Sequence, residues 1–400
     1  MKNWNVKGRK VIVRVDFNVP IKNGIITDST RIIKSLETLK FLLDKGARCI
    51  IMSHLGRPLK EKLPDGSIDF GKFSLKPVAE KLSELLGSKI YFASDCGGSD
   101  TFKIISELKD GEAVLCENTR FQNEEEKGDA NWAEQLSGLG DYFVNDAFGA
   151  AHREHATTAT IARFFDKDHR SFGFLMEAEV ENGLKVLQGA EKPFTAILGG
   201  AKVSDKILLI ENLMSTANQI IIGGGMAYTF LAAQGYKIGN SLCENEKLDL
   251  ALELLDRAKS RSVDIILPID SVAADAFNAE ANTIITDDQN IPNNYLGLDI
   301  GPKSRQLFAE KIKSSKTIIW NGPMGVFEFD QFAEGTKAVA QATLEATRNG
   351  AFSLIGGGDS AAAANKFGLA DQFSFVSTGG GAMLELLEGK ILPGVEAIMS

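Results

Sequence analysis

Five basic side chains in this 400-residue chain stand where anion chemistry would need them. Arg31 opens the helical pattern that follows the apolar run VIVRVDF (11–17). His54 closes the run ARCIIMSH (47–54), and Arg57 comes three residues later. Arg120 follows AVLCEN (113–118), and Arg153 follows DYFVNDA (141–147). A planar guanidinium binds phosphate or carboxylate through two parallel hydrogen bonds, so four of them with an imidazole form a site for a small polyanion. Taken singly, each arginine is as readily a solvated surface residue or an ion-pair partner. What joins the four is their shared position at the carboxyl ends of strand-like runs. Arg9 and Arg14 lack that position and read as structural. Asp16 and Asn18 are turn formers or acceptors for ligand hydroxyls.

The second half carries glycine at the corresponding points. Gly199-Gly200-Ala201-Lys202, Gly223-Gly224-Gly225-Met226, Gly356-Gly357-Gly358-Asp359-Ser360 and Gly379-Gly380-Gly381-Ala382 each follow an apolar run and precede a helical pattern. Glycine lets backbone approach a ligand, and a helix start offers free N–H groups to phosphate. A tight turn explains one such run; four on one domain point to a nucleotide. Lys202 and Lys206, four apart, are expected on one helix face near the phosphates. Asp359 is the candidate Mg2+ ligand.

The elements that must position these residues alternate. Strands are expected at Val11–Phe17, Ala47–His54, Lys89–Ala93, Ala113–Asn118 and Asp141–Ala147. A second set covers Phe194–Leu198, Gln219–Ile222, Asp264–Asp270, Thr317–Trp320, Phe352–Ile355 and Phe373–Val376. Ile32, Ile33, Leu36, Leu39, Leu42 and Leu43 recur at three- and four-residue steps and predict a helix over 30–45, capped by Asp28 or Ser29. Apolar strands alternating with helices predict parallel sheets covered on both faces, with ligands beyond the carboxyl ends of the strands. The expected class is α/β, with two doubly wound parallel-sheet (Rossmann-like) domains joined by a hinge helix. The charged pattern at Met176–Lys192 reads as the bridge, and Leu392–Ser400 as an extended tail.

Composition narrows the function. The chain has 44 basic and 53 acidic side chains, a net charge of -9. Residues 1–170 carry 26 basic against 25 acidic, and 171–400 carry 18 against 28. Basic surface is therefore confined to the first part, and nucleic acid is disfavoured as the main partner. Four cysteines without CxxC spacing, no apolar leader in MKNWNVKGRK and no stretch of ~20 apolar residues fit a reduced, cytoplasmic protein without a membrane anchor. His152-x-x-His155 lacks an HExxH or Cys/His setting, so zinc is not expected. Gly66–Lys72 imitates a P-loop, but Phe73 replaces the Mg2+-binding hydroxyl and no strand precedes it. A nicotinamide-dependent dehydrogenase would need GxGxxG, which these runs lack. A two-domain solute-binding protein would need a signal peptide.

Longer motifs sharpen the reading. RVDFNVP (14–20), SHLGRP (53–58), DAFGAAHREHAT (146–157), LGGAKVSDK (198–206), GGGMAYTF (223–230), WNGPMGVFE (320–328) and GGGDS (356–360) resemble the phosphoglycerate kinase family over nearly the whole chain. The resemblance implies a 3-phosphoglycerate-binding domain over 1–170, a linker helix and hinge over 171–193, a nucleotide domain over 194–390 and a tail, 391–400, returning to the first domain. It implies that Asp16, Phe17, Asn18, Arg31, His54, Leu55, Gly56, Arg57, Arg120 and Arg153 hold the triose. MgATP or MgADP would meet Gly199, Gly200, Lys202, Lys206, Gly223, Gly224, Gly297, Asn321, Pro323, Glu328 and Gly357–Ser360. Within that set Glu328 would lie on the ribose and Asp359 on Mg2+. Arg31, Lys202, Gly358 and Gly381 would act on the phosphoryl group in transit. The implied enzyme is a monomeric glycolytic kinase that transfers between 1,3-bisphosphoglycerate and ADP. Ser360 stands where Thr is usual in the family and Ala150 where Thr is common. Glu154 brings a carboxylate beside Arg153, which is expected to weaken triose affinity.

Overall fold

The computed structural model describes all 400 residues. The chain divides into two compact units, one of Met1–Glu181 with Ile391–Ser400 and one of Asn182–Lys390. The division falls inside a single helix, Phe174–Gly189.

The first unit is built on six parallel strands: β1 (Lys10–Val15), β2 (Arg48–Met52), β3 (Ile90–Phe92), β4 (Ala113–Leu115), β5 (Tyr142–Asp146) and β6 (Arg170–Phe172), in the spatial order β3-β4-β2-β1-β5-β6. Side chains alternate across a strand, so a strand covered on both faces is apolar throughout. Val11, Val13, Val15, Cys49 and Ile51 enter one core, and Ile12, Ile50, Met52, Val114 and Phe143 enter the other. Parallel pairing of β1 with β2 and β5 brings Val15, Met52 and Asp146 to one edge of the sheet. Helix Thr30–Asp44 buries Ile32, Leu39 and Leu42 as the periodicity requires, while Ile33 is exposed. Its start is held by Asp28, whose Oδ1 accepts the Thr30 N–H at 2.8 Å, and Ser29 makes no cap bond.

The second unit has six parallel strands, β7 (Phe194–Leu198), β8 (Gln219–Ile222), β9 (Asp264–Ile266), β13 (Thr317–Asn321), β14 (Phe352–Ile355) and β15 (Phe375–Val376), ordered β9-β8-β7-β13-β14-β15. Between β9 and β13 lies a separate antiparallel sheet, β10 (Ser271–Ala274), β11 (Thr283–Ile285) and β12 (Leu296–Ile300), ordered β11-β10-β12. The sequence pattern extends β9 to Asp270 and gives no sign of this sheet. Its strands are short, and polar turns separate them.

Two further expectations are corrected. Residues 170–172, part of which fall in the expected linker, form an edge strand that pairs with Phe143–Asn145. Three half-buried residues carry too little pattern to reveal it. The chain end is not extended: Pro393–Met399 is helical, with Pro393 in the first turn, where its missing N–H costs nothing. Ala397 and Ile398 join the core of the first unit, and the Gly394 N–H donates to the Ala151 carbonyl at 2.8 Å.

Candidate functional site

In the first unit the loops beyond β1, β2, β4 and β5 enclose a cavity of about 310 Å³. Asp16, Asn18, Arg31, His54, Gly56, Arg57, Glu61, Arg120, Gly149, Ala150, His152 and Arg153 line it. All four strand-end arginines and His54 are therefore brought together. Phe17 and Leu55 are not in the lining; their side chains sit in the core beneath and anchor the loops. Glu61, Gly149, Ala150 and His152 were not among the expected contacts. The last three lie inside DAFGAAHREHAT, whereas no motif marks Glu61.

Local packing explains the shape. Gly56 has φ +59°, and a Cβ there would strike the Phe73 ring, so the loop lies flat on a buried aromatic. That pose presents the Gly56 N–H to Asn18 Oδ1 at 2.9 Å and the Gly56 carbonyl to Arg120 NH1, also at 2.9 Å. Asn118, 1% exposed, stitches two loops together. Its Oδ1 accepts the N–H groups of Leu55 (3.1 Å) and Arg120 (3.0 Å), and its Nδ2 donates to the carbonyls of Leu55 (2.7 Å) and Phe73 (3.0 Å).

The charge of the cavity comes from guanidiniums. Asp16 Oδ2 accepts from Arg31 NH1 at 2.7 Å, and Arg153 Nε donates to His152 Nε2 at 3.0 Å. Burial, then the neighbouring Arg120, Arg14 and Arg31, holds His54 well below the ordinary imidazole range. Burial, then Arg120, Arg14 and Arg153, pushes His155 down to about 3. Both rings are neutral at pH 7. Burial lowers Arg120 to about 10, which leaves it charged. Four cations thus face two carboxylates, Asp16 and Glu61. Glu154 does not oppose Arg153: it points away and pairs with Arg163, so the expected loss of anion affinity has no geometric basis.

In the second unit the glycine-rich turns surround a cavity of about 530 Å³. Gly200, Gly224, Gly297, Pro323, Glu328 and Asp359 line it. So do Tyr228, Asn240, Leu242, Phe277, Leu298 and Val326, which sequence reasoning did not select. Phe277 and Asn240 lie outside any motif, while Tyr228 and Val326 are interior to motifs. Two expected ligand-contacting glycines have another reason to be glycine. A Cβ on Gly199 would strike the backbone of Gly322 and Pro323, and one on Gly223 would meet Met324. They let chain pack closely on chain.

Lys202 and Lys206 do not share a helix face. The helix begins at Ile207, and both lysines lie in the turn before it. Lys202 is exposed and outside the cavity lining. Lys206 donates to Asn321 Oδ1, and burial lowers its pKa. The Ser360 hydroxyl is buried and accepts the Gly322 N–H at 2.6 Å. Gly357, with φ +85°, caps helix Gly358–Lys366, whose first N–H groups have no acceptor within the helix. A Cβ on Gly380 would lie 3.8 Å from the Gly358 nitrogen, so the start of helix Gly380–Leu387, which includes Gly381, adjoins this one. Asp359 is exposed at that point, and no cluster of three His, Cys, Asp or Glu side chains exists that could cage a metal. A lone carboxylate beside helix-start N–H groups suits Mg2+ that arrives with phosphate oxygens.

One parallel α/β sheet thus carries a guanidinium pocket at its carboxyl edge, and the other has a glycine-walled cavity beside it. The family model described as phosphoglycerate kinase matches residues 1–390. The chain is 49% identical to the phosphoglycerate kinase of Clostridium novyi (strain NT) over 400 residues, covering all of this chain and 98% of the relative. It is 48% identical to that of Clostridium tetani (strain Massachusetts / E88), covering all of this chain and 97% of the relative. Among solved structures, it is similar to phosphoglycerate kinase from Coxiella burnetii (TM-score 0.89, 41% identity, 100% and 98% of the two chains). The enzyme from Pyrococcus horikoshii OT3 is also similar (TM-score 0.83, 32% identity, 100% and 98% of the two chains). The chain belongs to the phosphoglycerate kinase family.

Proposed function

We propose that this kinase moves a phosphoryl group reversibly between the acyl phosphate of 1,3-bisphosphoglycerate and ADP, giving 3-phosphoglycerate and ATP. The observation that carries the substrate reading is the convergence of Arg31, Arg57, Arg120 and Arg153 on one small cavity. Its volume suits a three-carbon phosphate and is small for a nucleotide. In this reading Asp16 and Asn18 accept from the triose hydroxyl, and the arginines hold its anionic ends. The nucleotide takes the larger cavity, with its base among Leu242, Phe277 and Val326, its ribose near Glu328 and its phosphates at the start of helix Gly358–Lys366. Asp359 would hold the Mg2+ of MgADP, which when bound would offset charge on the phosphate oxygens.

The chemistry needs no general base. In the reverse direction the nucleophile is a carboxylate with a pKa near 4, already ionised at pH 7. Its oxygen bonds to the γ-phosphorus of ATP while the bond to the bridging oxygen of ADP breaks, and no proton moves. Catalysis then comes from position and from stabilising charge on the phosphoryl oxygens. Arg31 supplies that charge with the donors Asp16 leaves free. Lys202, exposed on its turn, supplies a second cation, and the N–H groups at Gly358 and Gly381 supply dipoles. Each ligand belongs to one unit, so transfer requires the units to close and exclude water, with 171–193 as the flexing segment. The enzyme works as a glycolytic monomer in the cytoplasm.

The test incubates the protein with MgATP and 3-phosphoglycerate and traps the acyl phosphate with hydroxylamine. Hydroxamate should form only when both substrates are present. Hydroxamate no higher than in single-substrate controls would overturn the reading.

A further inference from the structure

Arg14 is fully buried behind the basic cavity and is not part of its lining. We propose that Arg14, held by Glu125, is a positioning residue that fixes His54 as its Nε2–H tautomer and so aims a single neutral donor at the bound triose. The proposal deepens the functional reading above and rests on it for the identity of the anion.

The argument starts from what a guanidinium can do. It has five N–H donors and no acceptor. Arg14 Nε donates to Thr157 Oγ1 at 2.8 Å, NH1 donates to the Val15 carbonyl, and NH2 lies 3.6 Å from Glu125 Oε1. NH2 also lies 3.2 Å from His54 Nδ1. Since Arg14 can only donate, Nδ1 must accept, and the ring proton belongs on Nε2. The other side of the ring agrees. Nε2 faces Asp16 Oδ1 at 3.9 Å, where an N–H is attracted to the carboxylate and a lone pair would be repelled.

Arg14 cannot swing away, because Glu125 is locked as firmly. Glu125 is fully buried. It accepts from Thr157 N (2.9 Å), Thr157 Oγ1 (2.6 Å) and Thr119 Oγ1 (3.2 Å). The groups that face His54 from the packed elements are Arg14 and Asp16 on the β1 side, Arg31, Arg120 and His155. Three of these are cations, and burial together with these cations keeps the ring uncharged. A neutral ring of fixed tautomer donates to an anion at any working pH, whereas a free imidazole would alternate between donor and acceptor.

Long-range proton–nitrogen NMR of 15N-histidine protein reads the tautomer without any substrate, with His54 assigned through His54→Gln. The expected spectrum shows an unprotonated Nδ1 and a protonated Nε2, unchanged from pH 5.5 to 8. An unprotonated Nε2, or titration to imidazolium in that range, would overturn the proposal. Steady-state kinetics of Arg14→Met and Arg14→Lys add the functional arm. The KM for 3-phosphoglycerate should rise ~10-fold in Arg14→Met, with the KM for MgATP unchanged and partial recovery in Arg14→Lys. A folded Arg14→Met that keeps both the wild-type His54 spectrum and its KM would also sink the proposal. Loss of hydroxamate formation in the wild type is a different result, since it rejects the functional reading while the spectrum still decides the ring.

Discussion

Removing the Asn118 side chain in Asn118→Ala severs four hydrogen bonds: three tie the turn after β4 to Leu55 and Phe73 in the segment after β2, and the fourth, from the Arg120 N–H, closes that turn itself. All four lie in the interior, and water cannot replace them at a residue 1% exposed. At a net ~1 kcal/mol per bond, the loss is about 4 kcal/mol, a large share of the 5–15 kcal/mol that holds a typical domain. The damage should be local to the first unit. Native-state hydrogen exchange read by mass spectrometry separates the units peptide by peptide. Peptides covering 48–57 and 113–121 should lose protection by roughly 10³-fold, which is ~4 kcal/mol, while peptides of 194–222 should be unaffected. The KM for 3-phosphoglycerate should rise as well, because Gly56, Arg57 and Arg120 lose their fixed relation. A stability change below about 1 kcal/mol, or unaltered protection at 53–57, would refute the claim that Asn118 shapes the pocket.

Three further outcomes follow from the same geometry. Arg31→Ala should cut kcat by at least ~100-fold with a smaller change in nucleotide KM, as for a cation acting on the transition state; kcat within threefold of wild type would reject that role. Asp359→Ala should abolish the Mg2+-dependent part of ADP binding in titration calorimetry, and unchanged affinity would move the metal elsewhere. Burial raises Asp299 to about 7 from the ordinary carboxylate range, against the pull of its Gly335 N–H bond and Arg305. The folded chain then holds a proton that the unfolded chain has lost between about pH 4 and 7, so this group's contribution makes stability fall as pH rises through that window. Asp299→Asn should flatten the fall by up to roughly 3 kcal/mol between urea titrations at pH 5 and 7.5, since about two of the pH units lie in that interval, and identical slopes in both proteins would count against it.

Why some of this was legible in the residues and some was not has a physical explanation. Near-continuous apolar runs such as VIVRV and CIIM have no stable home except a sheet covered on both faces. Parallel strands then convert order along the chain into position along one edge. That is enough to bring Arg31, Arg57, Arg120 and Arg153 together from their order along the chain, because each needs only its place after a strand. The glycine runs were equally visible, but their reasons were not. Gly199 and Gly223 answer to Gly322, Pro323 and Met324, more than a hundred residues away on the chain.

Whatever depends on a partner's direction was left to the tertiary structure. Arg14 and Glu125 look like ordinary charges in a sequence; only full burial makes them a pair that governs His54. Glu154 looks like a threat to Arg153 until Arg163 is seen to take it. Lys206 looks like a free ammonium in a sequence; only the fold sets the Asn321 side chain against it. The chain by itself determined the two parallel sheets in outline, the edge where charge gathers and the chemistry those residue types permit, because these follow from periodicity and short-range geometry. Only the folded structure decided which charges are neutralised, which imidazoles are uncharged and which glycines face a cavity. Those depend on desolvation and on contacts between residues that the sequence keeps far apart.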